Sequence, residues 1–202
     1  MKCLLIKNAD VYAPQPLGIV DILIINDKIA KIGQQLAAPQ GLDCQILDAQ
    51  KRKVVPGYVD QHVHIIGGGG ESGPYSRTPE INLSELTKVG ITTVVGVLGT
   101  DGTSRHNESL LAKARGLTHE GITAYMLTGS YEIPLHNMTG DVRRDIILIN
   151  ECLGIGEVAL SDHRSSQPTR EELEKVLRGL DSTINSDREK IGGMRTRIQD
   201  LV

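Results

Sequence analysis

Neither phenylalanine nor tryptophan occurs in this 202-residue chain, and five tyrosines are the only large aromatic rings it has. The core must therefore be aliphatic, and base-stacking platforms or aromatic cation cages are poor modes of recognition for it. A surplus of either charge is missing too. The 22 Lys and Arg nearly balance 25 Asp and Glu, net −3, which leaves no basic footprint for nucleic acid or for an anionic membrane. The three cysteines, at 3, 44 and 152, are odd in number and far apart, so no disulfide framework and no zinc ribbon is legible in them. That usage fits a reducing, cytoplasmic setting. Long apolar runs are also absent. The run Cys3 to Ile6 is cut short by Lys7, Asn8 and Asp10, too soon for a secretion signal, and no stretch of about 18 apolar residues exists to span a bilayer. The expectation is a soluble, non-secreted protein.

What is present is a change of pattern near residue 56. Before it, Cys3 to Lys7, Val20 to Ile25, Ile29 to Ile32, Gln45 to Leu47 and Val54 to Val55 read as short strands, with a turn at Asn26-Asp27-Lys28. Residues 1–56 are thus expected to form a small all-β segment. After Pro56-Gly57, strand-like and helix-like segments alternate. Strands are expected at Tyr58 to Ile66, Ile91 to Leu98, Ile122 to Leu127 and Glu157 to Leu160. Helices are expected at Pro79 to Val89, capped by Thr78, at Asn107 to Glu120, closed by Gly121, and at Asp141 to Cys152. About four βα units over residues 57–168 imply parallel strands with helical crossovers, in an open doubly wound sheet or in part of a (β/α)8 barrel. Residues 169–202 differ: from Arg170 on they hold fourteen charged side chains, seven of each sign. Thr169 with Glu172 starts a helix through Leu180, and Asp181 to Val202 reads as weakly ordered polar chain.

His62 and His64 are two apart on an apolar strand, so both imidazoles reach one face and can share a metal ion, or can form a hydrogen-bonded structural pair. Asp60 lies on the same face, as a third carboxylate or as an orienter of the histidines. Functional groups of parallel α/β folds gather at the carboxyl ends of strands, where this pair falls, and that favours the metal site.

The run Pro56-Gly57-Tyr58-Val59-Asp60-Gln61-His62-Val63-His64 resembles the first strand of the amidohydrolase superfamily. Its continuation Ile65-Ile66-Gly67-Gly68-Gly69-Gly70-Glu71 is similar to the β-aspartyl (isoaspartyl) dipeptidases. Leu98-Gly99-Thr100-Asp101, Ser104-Arg105-His106, Leu127-Thr128-Gly129-Ser130-Tyr131 and Ser161-Asp162-His163-Arg164-Ser165 extend the resemblance over most of residues 10 to 170. It implies a small β-sandwich beside a distorted (β/α)8 barrel, two zinc ions and hydrolysis of dipeptides that begin with an isoaspartyl residue. Carried over by motif, His62 and His64 would bind the more buried zinc and Glu71 the substrate's α-amino group. Gly69 and Thr100 would meet the isoaspartyl carboxylate, Tyr131 would polarise the scissile carbonyl, and Arg164 would clamp the second residue's carboxylate. Without the resemblance the glycine tract reads as a flexible loop, Thr100 as a cap, Tyr131 as packing and Arg164 as a surface ion pair.

Glu157 departs from the family pattern, which often has a lysine there that is carboxylated and bridges the two metals. Glutamate already carries an anionic two-oxygen head on a shorter stem and would bridge directly, the alternative being a salt-bridged barrel carboxylate. His106, His119, His136 and His163 read as surface, capping or loop-supporting residues, and Cys152 as packing.

No segment after Arg164 resembles the further metal-binding histidines, the second substrate arginine or the general-base aspartate of the family. The polar stretch after Thr169 reads as sequence that has left the family pattern, as a truncation, frameshift or gene fusion would produce. The resemblance thus implies an incomplete metal site and a half barrel with uncovered edges, from which marginal stability or association with itself or a chaperone is expected, in a family whose members tend to form homo-oligomers. Two other readings stand beside the dipeptidase: a ring-opening amidohydrolase of the dihydroorotase or hydantoinase kind, and a non-catalytic remnant or interaction module.

Overall fold

The computed structural model describes residues 2–160 and 162–186, in two compact units that meet in sequence between Pro56 and Gly57. The first unit is all β. Strands β1 (Cys3–Tyr12), β2 (Pro16–Ile25), β3 (Lys28–Gly33), β4 (Cys44–Asp48) and β5 (Lys53–Val54) form one sheet, in the order β3-β2-β1-β4 with β5 also on β1. β1 and β2 run antiparallel, whereas β4 and β5 join β1 in parallel. Its core is small and aliphatic, built on Ala9, Val11, Val20, Ile22 and Ala49. The buried carboxylate of Asp21 is satisfied by the Lys7 ammonium and by the N–H groups of Asn8 and Leu36.

The parallel register of β4 on β1 sets Cys3 opposite Cys44, and the two form a disulfide with Cα atoms 4.4 Å apart. Two of the three thiols are therefore paired, against the expectation drawn from their number and spacing. A separation of 41 residues carries no hint of this, because the strand pairing that creates it is non-local.

The second unit alternates strand and helix: β6 (Tyr58–Val63), α1 (Leu83–Thr87), β7 (Ile91–Gly96), α2 (Asn107–Glu120), β8 (Thr123–Thr128), α3 (Val142–Leu148), β9 (Cys152–Ile155) and α4 (Arg170–Ser186). The four strands are parallel and lie in chain order, β6-β7-β8-β9. A doubly wound sheet reverses its order at a switch point, whereas a barrel wall does not. The described residues therefore form an open arc of barrel type with about four βα units, and no closed barrel. Its core is aliphatic as well: Ile65, Leu86, Val94, Leu98, Leu110, Leu117 and Met126 are almost wholly buried. At roughly 1.5–3 kcal/mol per buried side chain of this size, these residues dominate the unit's stability.

Helix α2 has the bounds its sequence announces, because Gly121 closes it in the left-handed region at φ 120°. Three other elements differ from expectation. Helix α1 is shorter than Pro79 to Val89. Thr78 does not cap it, since its hydroxyl and N–H are spent on Gly68, and Asn82 with Glu85 makes the capping box instead. Helix α3 ends at Leu148, and the chain from Cys152 becomes strand β9. Glu157 therefore lies beyond a strand end, not on a strand spanning 157 to 160. Helix α4 continues past Leu180 to Ser186; residues 187–202 of the stretch expected to be weakly ordered lie outside the described residues.

One buried carboxylate ties β8 to α3. Asp145, fully inaccessible, accepts from the Thr128 hydroxyl, the Met138 and Thr139 N–H groups and the Thr139 hydroxyl. Among the described residues no helix is long and apolar enough to cross a membrane.

Candidate functional site

The carboxyl ends of β6, β7, β8 and β9 bring the chemistry-bearing side chains of the second unit together. β6 shifts register against β7 between Asp60 and Val63, an irregularity after which Val63 still pairs with Gly96. His62 is the penultimate residue of this strand and His64 follows its end, with ring centroids 5.5 Å apart at 76°. Asp60 lies outside the cluster of candidate ligands, and its carboxylate accepts the His62 N–H at 3.1 Å. The third member comes from beyond β9. Glu157 places one oxygen 2.9 Å from His62 Nε2 and the other 4.0 Å from His64 Nε2.

One ligand atom from each of these residues lies within 4.8 Å of the others. His64 Nδ1 and Glu157 Oε2 are buried with no hydrogen-bond partner among the described residues. Unpaired polar atoms of this kind are costly, and a divalent cation satisfies both imidazole nitrogen and carboxylate oxygen at once. Two nitrogens and an oxygen suit zinc among other first-row metals, so the residues fit the metal that the sequence pattern implies. Gly99 makes room for the cluster. At φ 82° it stands where a Cβ would lie 2.8 Å from the His64 ring, so only glycine lets the β7 loop pass there.

Beside the cluster is a pocket walled by the glycine tract, Thr100, Tyr131 and Arg164. Arg164 holds Asp162 through both ends of its guanidinium, Nε and Nη2 each at 2.8 Å, and Asp162 also accepts the Arg164 N–H. The third guanidinium nitrogen donates to Glu71 at 2.8 Å, and the Thr100 hydroxyl donates to the same Glu71 oxygen at 3.0 Å. The Arg164 cation stands 5.2 Å from the centre of the Tyr131 ring.

The electrostatics follow from these contacts. The Asp162 carboxyl is held far below its ordinary range by the Arg164 guanidinium, and Arg164 is pushed up by Asp162 in return. Glu71 is lowered, by its own backbone N–H first, then by Thr100 and Arg164. The Tyr131 phenol is raised, by burial first and by the charge of Glu157 second. It therefore remains a protonated donor near neutral pH.

The structure thus brings His62, His64 and Glu157 into one cluster and Gly69, Glu71, Thr100, Tyr131 and Arg164 around one adjoining pocket. The remaining histidines stay out: His106, His119 and His136 are exposed, and His163 is 87% exposed with Nδ1 3.4 Å from Asp162. Two residues of the site were not singled out by sequence reasoning. Asp162 orients Arg164, and its signal was its place two residues before it. Arg105 forms part of the pocket wall while only 4% exposed; it lies in the run Ser104-Arg105-His106, but that pattern does not reveal a buried arginine whose partners are main-chain carbonyls.

No family model matches the chain. Two solved structures of β-aspartyl dipeptidase from Fervidobacterium islandicum AW-1, one in complex with β-Asp-Leu dipeptide, are 42% identical to it. Each covers 90% of this chain, with TM-scores of 0.84 and 0.85. Dihydroorotase from Staphylococcus aureus strain MRSA252 is 39% identical over 90 residues, 45% of this chain and 20% of that protein. The chain spans about half the length of the two solved dipeptidases, 47% and 50%. In sequence and in fold it resembles the β-aspartyl dipeptidases of the amidohydrolase superfamily, over a stretch equal to about half of one such protein.

Proposed function

We propose that this site takes β-aspartyl dipeptides and serves the metal-dependent hydrolysis of their isopeptide bond. The observation that carries the reading is the placement of two groups of opposite charge, Glu71 and Arg164, on one pocket that adjoins the His62–His64–Glu157 cluster. An isoaspartyl dipeptide carries an ammonium and two carboxylates. Glu71 would receive the ammonium, Arg164 the carboxylate of the second residue, and Gly69 with Thr100 the α-carboxylate of the isoaspartyl residue. Each of these is a charge-assisted contact.

His62, His64 and Glu157 would hold a divalent ion, zinc by the donor set. Such an ion supplies Lewis acidity and a nucleophile near neutral pH. Tyr131, a neutral donor with its phenol pushed up by burial, would hydrogen-bond the carbonyl oxygen as charge develops on it. Asp162 would keep the Arg164 fork in the plane that a carboxylate needs.

The test is binding and turnover by the purified chain with and without added Zn²⁺, using β-Asp-Leu, α-Asp-Leu and dihydroorotate. The reading expects β-Asp-Leu to bind at least about tenfold more tightly than α-Asp-Leu. Equal binding of the two dipeptides overturns it. A second reading, ring-opening hydrolysis of a cyclic amide, is favoured by the 39% identity to dihydroorotase. Selective binding of dihydroorotate would put that reading first.

A further inference from the structure

We infer that Arg105 is a positioning residue of this site, one that sets the glycine loop for an anionic ligand; the inference rests on the dipeptide reading above. Arg105 is 4% exposed, and a buried guanidinium survives only when its charge and its donors are matched. Its match is unusual. Nη1 donates to the Gly69 carbonyl at 3.0 Å and Nη2 to the Gly68 carbonyl at 2.9 Å, two successive peptides held by one fork. Its nearest carboxylate oxygen, on Asp101, is 3.6 Å away, and Asp101 is already occupied by the Thr103 and Ser104 N–H groups and the Ser104 hydroxyl. The Arg105 Nε is buried with no partner among the described residues. A structural salt bridge would look different: the carboxylate would take the fork.

The consequence lies in the peptide planes. The Gly68–Gly69 and Gly69–Gly70 bonds are not among the cis peptides, so each C=O points opposite to the N–H across the same bond. With the Gly69 carbonyl drawn onto Arg105, and the Gly68 carbonyl held jointly by Arg105 and by the Thr78 N–H at 2.9 Å, the Gly69 and Gly70 N–H groups are turned to the other side. A glycine loop free to rotate would offer a carboxylate a mixture of acceptors and donors. The arginine fork withdraws the acceptors and leaves the donors, which is what binding an anion at main-chain N–H groups needs. Lysine cannot reproduce this, because a point ammonium does not span two carbonyls in one plane.

The test uses the full chain as wild type, Arg105→Lys and Arg105→Ala, with two independent readouts. The first needs no substrate: amide hydrogen exchange of residues 67–71 in the ligand-free protein. The second is affinity for β-Asp-Leu at saturating Zn²⁺, with Zn²⁺ affinity measured alongside. The expected result for Arg105→Lys is exchange at 67–71 faster by about tenfold or more, β-Asp-Leu affinity weaker by a similar factor, and Zn²⁺ affinity within about twofold of wild type. In Arg105→Ala, millimolar guanidinium restores part of the lost β-Asp-Leu affinity. Arg105→Lys with wild-type exchange and affinity overturns the inference, and so does Arg105→Lys that loses Zn²⁺ affinity and melting temperature together, since Arg105 then serves the fold in general. If wild type binds no β-Asp-Leu, the dipeptide reading falls, and the exchange readout still decides whether Arg105 sets the loop.

Discussion

Arg164 and Glu71, 93 residues apart in the chain, meet at 2.8 Å across the mouth of the pocket. The two groups that would receive the opposite charges of a zwitterionic dipeptide thus neutralise each other in its absence. A ligand must replace both halves of that pair, so one bearing a single charge leaves the other partner unmatched. Glu71→Gln is expected to weaken β-Asp-Leu binding by at least about tenfold while hardly moving the melting temperature, because the pair is solvent-accessible and exposed pairs contribute little to stability. Calorimetric titration beside a thermal melt checks this. Unchanged affinity would remove Glu71 from the recognition of the ammonium.

Glu157 is the residue whose loss should separate metal binding from folding. Its Oε2 is buried without a hydrogen-bond partner among the described residues while Oε1 lies 2.9 Å from His62 Nε2, so Glu157→Gln removes a carboxylate that is only half matched. The metal-free variant should melt at or slightly above the wild-type temperature. A ligand that binds only the native state raises the melting temperature, and for Zn²⁺ this rise should vanish in the variant. A variant that keeps the full Zn²⁺-induced rise would show that the carboxylate is not a ligand.

How much of this was legible in the sequence depends on how local the cause is. Helix α2 was readable to the residue, because Gly121 supplies its own stop signal. The short α1 was not, because Thr78 is drawn to Gly68 by a contact across ten residues. The run from Ile146 to Ile155 is apolar enough for helix or strand. Only pairing with β8, where Met126 faces Cys152, settles that the strand begins at Cys152 and that Glu157 projects beyond its end. The candidate ligands His62, His64 and Glu157 were recognisable as residue types in a pattern. Arg105 was not, since its partners are backbone carbonyls that no side-chain pattern records.

Acid should leave the Arg164 clamp intact well below the usual carboxylate range. The folded-state pKa of Asp162 is depressed from 3.8, so between that value and the folded one the unfolded chain binds more protons than the native protein. Stability from this group is therefore fully present above about 3.8 and is lost only as pH falls through the depressed folded value. A carboxyl-carbon NMR titration should show Asp162 still ionised at pH 3 while exposed aspartates are mostly protonated. An ordinary titration near 3.8 would mean that the fork on Asp162 does not persist in solution.

Asp145 tests the fold itself. It is wholly buried and accepts four hydrogen bonds that tie β8 to the loop before α3. Asp145→Ala strands the Thr128 hydroxyl and the Met138 and Thr139 N–H groups, at a combined cost of roughly 3 kcal/mol or more. Asp145→Asn keeps the shape and part of the acceptor capacity and should cost less. Denaturant melts of both variants measure the difference, and equal stability of Ala, Asn and wild type would mean that the network contributes nothing net.

Gly99 gives the sharpest separation of site from scaffold. An alanine there must adopt φ 82° and bring its Cβ within 2.8 Å of the His64 ring. The backbone cost alone is about 1–2 kcal/mol, and the His64 ring has to give way to the added carbon. Gly99→Ala should therefore lose Zn²⁺ affinity by a larger factor than its loss of stability explains. The comparison is Gly121→Ala at the end of α2, where φ is 120° and nothing lies within 4 Å of the added carbon. That variant carries backbone strain without touching a ligand, so it should lose stability and keep its Zn²⁺ affinity. If the two variants lose Zn²⁺ affinity equally, the effect comes from general destabilisation, and His64 is not held in place by the space that Gly99 leaves.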